Sequence, residues 1–132
     1  GTGLGVFISL LKTPDPWQRF ENIVLVHGVR NSNELIYQDQ INEFDKMNPG
    51  KFKYVKTVTR EEKEGCLNMR IPAGLDSKMI QESANLEINE DSQIMICGNP
   101  DMINDTVELL GKQGLERNRR SKPGNITLEK YW

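Results

Sequence analysis

The chain has 132 residues, 17 of them basic and 19 acidic, for a formal net charge of -2. That length supports one domain with a single core, and the charge balance argues against a surface built for nucleic acid or an anionic membrane, so any anion site has to be local. No apolar stretch reaches the roughly twenty residues that span a bilayer, no basic-then-apolar leader is visible, and Cys66 and Cys97 lack metal-ligand spacing, so a cytoplasmic chain with reduced thiols and no metal site is expected.

Strand-like and helix-like segments take turns. Gly1-Thr-Gly-Leu-Gly5 runs straight into a short apolar stretch, Leu4 to Lys12, that predicts a helix stopped by Pro14 and Pro16. Asn22 to Val26 is an aliphatic, β-branched run, the signature of a strand covered on both faces. Ser32 begins a capped segment with Glu34 in its first turn, and Leu35, Ile36, Ile41, Phe44 and Met47 recur at near-helical spacing, which predicts the longest helix, ending at Asn48-Pro-Gly50. Phe52 to Val58 alternates apolar with polar residues and predicts a strand near an edge, where Lys51, Lys53 and Lys56 belong. A weak helix over Ile71 to Ser83, a buried strand over Gln93 to Cys97, a helix over Pro100 to Leu110 and a strand over Ile126 to Tyr131 follow.

Repeated strand-helix units predict an α/β fold: a doubly wound, Rossmann-like parallel sheet with helices on both faces, binding ligands at the carboxyl ends of its strands. The glycine segment, Val26 to Arg30, Thr59-Arg60 and Cys97 to Pro100 all fall at such ends. Gly1, Gly3 and Gly5 permit close approach of a phosphate to backbone amides and to the helix dipole, with the Thr2 hydroxyl as a further donor, although an ordinary tight turn fits the same residues. Such a turn normally leaves a strand, and none precedes Gly1, so the first strand of the sheet is expected to be missing. Arg30, Arg60 and Arg70 read either as solvated cations or as phosphate ligands. Cys97 suits a small core position, with Gly98 for the turn and Pro100 for the helix start, and His27, the sole histidine, packs or lines a pocket. The basic run Arg117 to Lys122 reads as solvated surface or as a docking patch for an acidic partner.

Gly1-Thr-Gly-Leu-Gly5, Val26-His-Gly-Val-Arg30, Thr59-Arg60 with Met69-Arg-Ile-Pro72, Ile96-Cys-Gly-Asn-Pro-Asp-Met102, Asn118 to Thr127 and the terminal Glu129-Lys-Tyr-Trp132 stand in an order and spacing that cover essentially the whole chain. Together they resemble the NADP-binding domain of bacterial ferredoxin-NADP reductases, also called flavodoxin reductases. The resemblance implies that residues 1-132 are the C-terminal half of a two-domain flavoenzyme whose FAD-binding barrel is absent, with NADP and, in the full-length enzyme, FAD as cofactors, and ferredoxin or flavodoxin as partner. It assigns Gly1, Thr2, Gly3 and Gly5 to the pyrophosphate, Arg30, Thr59, Arg60 and Arg70 to the 2'-phosphate end, and Cys97 to the nicotinamide, with Gly98, Asn99, Pro100, Asp101 and Met102 around it. It assigns Tyr131 and Trp132 to packing against FAD. Family members usually carry proline where Val6 stands and glycine where Met69 stands. The chain alone is not expected to turn over. Two other readings are the reductase component of an oxygenase or another flavin reductase of the same superfamily, with a different acceptor, and a stand-alone dinucleotide-sensing module.

Overall fold

A computed structural model of the chain describes residues 2–130. In chain order its elements are α1 (Thr2–Leu11), α2 (Asp15–Arg19), β1 (Ile23–Val29), α3 (Gln38–Met47), β2 (Phe52–Val58), α4 (Ile71–Asp76), α5 (Met79–Ala84), β3 (Ile94–Gly98), α6 (Pro100–Lys112) and β4 (Ile126–Lys130). β1 and β2 pair in parallel, Ile23 opposite Phe52 through Val29 opposite Val58. β3 and β4 form a second parallel pair, Ile94 opposite Ile126 through Gly98 opposite Lys130. Among the described residues β1 and β3 each keep one edge without a strand partner.

Helices cover both faces, as the alternation of segments predicts. On one face of β1–β2, α1 and α3 bury Leu4, Ile8, Leu11, Ile41 and Phe44 against Leu25 and Phe52. Trp17 leans on this cluster, its ring 6.0 Å from Phe44 and 5.8 Å from Phe52, with its indole N–H donated to the Leu11 carbonyl at 2.8 Å. On the opposite face α4 and α5 bring Leu75, Ile80 and Ala84 against Val55 and Val26. α6 lays Ile103 and Leu110 over Ile96 and Ile126 of β3–β4. Each such aliphatic side chain, fully buried, contributes about 2 kcal/mol.

Four details differ from expectation. α1 starts at Thr2, so Gly3 and Gly5 lie within its first turns and do not form a turn ahead of it. The helix after β1 is not one long element: a 3-10 turn over Ser32–Glu34 comes first, Tyr37 adopts φ 62, and α3 begins only at Gln38, leaving the 13-residue α6 as the longest described helix. The weak helix after β2 is likewise two, parted by Lys78 at φ 66. Pro16, read as a stop, instead lies at the start of the short α2, where its missing N–H costs nothing.

Candidate nucleotide-binding site

β1 runs three residues beyond Val26, so His27 and Gly28 belong to the strand and Arg30 follows its end. The β1–β2 ladder continues past both strands: Thr59 donates its N–H to the Val29 carbonyl at 3.2 Å, and Arg60 donates to the Arg30 carbonyl at 2.9 Å. Arg30, Thr59 and Arg60 therefore stand side by side at the carboxyl ends of parallel strands, all exposed. Neither Arg30 nor Arg60 makes an ion pair among the described residues.

Arg70 is placed differently. It precedes α4, and its Nη2 lies 3.6 Å from Oδ2 of Asp105 on α6, both side chains about half exposed. The pair links the loop after β2 to the helix that leaves β3.

Cys97 and Gly98 close β3, and the Asn99 side chain caps α6 by accepting the Met102 N–H at 2.8 Å, with Pro100 and Asp101 in the first turn. Gly98 has φ 156, and a Cβ there would sit 2.5 Å from Met102 Cε. Met102 is half-buried and accepts the Thr106 hydroxyl on its sulfur at 3.6 Å.

At the start of α1, Gly5 faces the loop after β1: a Cβ there would meet only the Tyr37 hydroxyl, at 3.6 Å. Gly1, Tyr131 and Trp132 lie outside the described residues, as does the side chain of Thr2.

His27 packs in the interior. Its Nδ1 lies 2.8 Å from the Tyr54 hydroxyl, which in turn receives a hydrogen bond from Gln38 Nε2 at 2.9 Å. His27 Nδ1 and the Tyr54 hydroxyl thus share a hydrogen bond whose direction depends on the imidazole tautomer, and Nε2 is buried without a hydrogen-bond partner among the described residues. Burial pushes the His27 pKa down to about 4, so the ring is neutral near pH 7. It also raises the Tyr54 pKa, against the opposing hydrogen bond from Gln38.

Sequence reasoning missed the polar residues that hold the arginine loops. Asn31, not Ser32, caps the turn after β1, its N–H donated to Glu34 Oε1 at 2.9 Å. Ser32 instead donates its N–H to Glu61 Oε1 at 2.9 Å, and the hydrogen bonds from Ser32 hold the Glu61 carboxyl below the usual range. Asn68 Nδ2 donates to the carbonyls of Val58, at 2.9 Å, and Glu61, at 2.8 Å. Apart from the spacing of Asn31 and Glu34, none of this leaves a local signal in the sequence. One open hollow of the surface, of about 420 Å³, lies against the basic loop of Glu116, Arg117, Arg119, Ser121 and Lys122. Among the described residues no group of histidine, cysteine and carboxylate side chains is arranged to hold a metal, and no helix is long and apolar enough to cross a membrane.

Parallel strand pairs covered by helices on both faces, with glycine, arginine and an asparagine-capped helix at the strand ends, define a nucleotide-binding α/β domain. Residues 1–108 match the family described as oxidoreductase NAD-binding domain, and the chain belongs to that family. It is 40% identical to a flavodoxin/ferredoxin-NADP reductase of Buchnera aphidicola from Schizaphis graminum, over 100% of this chain and 52% of the relative. It is 38% identical to a ferredoxin-NADP reductase of Azotobacter vinelandii, over 98% of this chain and 54% of the relative. A crystal structure of a ferredoxin NADP+ reductase from Neisseria gonorrhoeae with bound FAD and NADP superposes with a TM-score of 0.89 at 32% identity, covering 98% of this chain and 52% of that one. The chain spans about half the length of these proteins.

Proposed function

We propose that residues 1-132 are the NADP-binding domain of a ferredoxin/flavodoxin-NADP reductase, the C-terminal half of a two-domain flavoenzyme whose other half holds FAD. The observation that carries the reading is the pair Arg30 and Arg60, joined through their backbones at 2.9 Å and without carboxylate partners among the described residues. Two unmatched guanidiniums fit a dianionic 2'-phosphate, and no acidic residue stands between Val26 and Arg30 to grip a free ribose hydroxyl. Gly98, where a Cβ would press on Met102, fits a backbone kept bare beside a flat ring.

When bound, the reduced nicotinamide supplies a hydride to the flavin. The chain's own residues bind and orient. Arg30, Thr59, Arg60 and, after leaving Asp105, Arg70 hold the phosphate end. Gly3 and Gly5, in the first turns of α1, let its amides approach the pyrophosphate, and Cys97 through Met102 position the nicotinamide. The open edges of β1 and β3 suit further parallel strands. The basic loop Arg117 to Lys122 docks acidic ferredoxin or flavodoxin by charge, and the protein works in the cytoplasm.

Rapid-mixing reduction of the intact flavoprotein tests this reading. NADPH reduces its flavin at low nucleotide concentrations where NADH does not; equal efficiency of the two would overturn it.

A further inference from the structure

We propose that Glu61 is a positioning residue for 2'-phosphate discrimination: its carboxylate clasps the loop after β1 to the loop after β2 and so keeps Arg30 and Arg60 side by side. This rests on the reading of those arginines given above.

Two cations on adjacent chains repel, and exposed loops leaving two strands are free to part unless something joins them. The strand ladder supplies one junction, Arg60 N–H to Arg30 carbonyl at 2.9 Å. Glu61 supplies the second, two residues further along the first loop, by accepting the Ser32 N–H at 2.9 Å. The two bonds close a ring through residues 30–32 and 60–61 that contains both arginines. Asn68 anchors the far side, since one amide group donates to the carbonyls before and after Thr59-Arg60. A carboxylate accepting a backbone N–H makes a charge-assisted bond, stronger than a neutral side chain would make. Its negative charge opposes an incoming phosphate, so the clasp helps only through the geometry it imposes. That sign separates it from simple electrostatics.

The test is calorimetric titration of the intact polypeptide with 2'-phospho-AMP and with AMP, on Glu61→Ala, Glu61→Gln and Arg60→Ala. Glu61→Ala loses about five-fold in 2'-phospho-AMP affinity with AMP affinity unchanged, and amide exchange at Ser32 accelerates. Glu61→Gln, which keeps an acceptor oxygen and removes the charge, retains the wild-type value or exceeds it. Tighter 2'-phospho-AMP binding by Glu61→Ala, equal losses for both nucleotides, or no change in either would overturn the clasp while Arg60→Ala still loses 2'-phospho-AMP. If Arg60→Ala leaves 2'-phospho-AMP binding intact, the underlying arginine assignment fails, and the clasp with it.

Discussion

Arg70 and Asp105 meet at 3.6 Å between the loop after β2 and α6, so one of the three arginines proposed to hold the 2'-phosphate already has an anionic partner. Exposed pairs of this kind contribute about 0–1 kcal/mol, enough to blunt Arg70 as a phosphate ligand without excluding it. Arg70→Ala is therefore expected to weaken 2'-phospho-AMP binding less than Arg60→Ala, and Asp105→Asn to tighten it about two- to three-fold with AMP unchanged. Titration of the three variants checks the order.

His27 makes stability depend on pH. Its folded pKa of about 4 lies below the ordinary 6.5, so the unfolded chain binds the proton more readily. The contribution of the neutral ring is complete above pH 6.5 and is lost as pH falls through about 4, on the order of 2 kcal/mol in all. Denaturant titrations at several pH values are expected to show this decline, and His27→Gln to remove most of it.

Gly98→Ala puts a side chain at φ 156, with its Cβ 2.5 Å from Met102 Cε. The Met102 tip can swing away, so most of the cost is backbone strain, about 1–2 kcal/mol. Thermal unfolding is expected to shift by a few degrees. Nicotinamide-dependent flavin reduction is expected to fall more than the affinity for 2'-phospho-AMP, because the proposed site places Gly98 at the nicotinamide end and away from the 2'-phosphate.

The basic loop turns back on itself through reciprocal backbone bonds between Arg119 and Lys122, at 2.9 and 3.1 Å, leaving Arg120 and Ser121 at its tip. Lys122 is paired with Glu116 at 3.0 Å, whereas Arg119 and Arg120 form no ion pair among the described residues. The double change Arg119→Ala with Arg120→Ala is expected to weaken binding of an acidic electron carrier several-fold at low salt, and the difference to shrink as salt screens the charges. Nucleotide affinity, measured in parallel, stays the same.

What the sequence disclosed is what nearest neighbours along the chain encode. β2 is readable residue for residue because a run of aromatic and β-branched residues from Phe52 to Val58 begins just after Pro49-Gly50, and the helix over Pro100 to Leu110 because proline, an acidic first turn and an apolar stripe agree. The region after β1 misled because a single left-handed residue, Tyr37, breaks an otherwise helical pattern, and tyrosine gives no warning of that conformation. The meeting of Arg30 and Arg60 followed from two parallel strands ending level. The bonds of Ser32 to Glu61 and Arg70 to Asp105 join residues 29 and 35 positions apart, and nothing local announces either.

Everything proposed for this domain turns on Arg30 and Arg60 reading a 2'-phosphate. The direct measurement is calorimetric binding of 2'-phospho-AMP and AMP to the intact protein and to Arg30→Ala and Arg60→Ala. Two charge-assisted contacts of about 1.5 kcal/mol each give roughly a hundredfold preference for the phosphorylated nucleotide, and each substitution removes about tenfold of it with AMP nearly unchanged. Equal losses for the two nucleotides would mean that these arginines support the fold and do not read the phosphate.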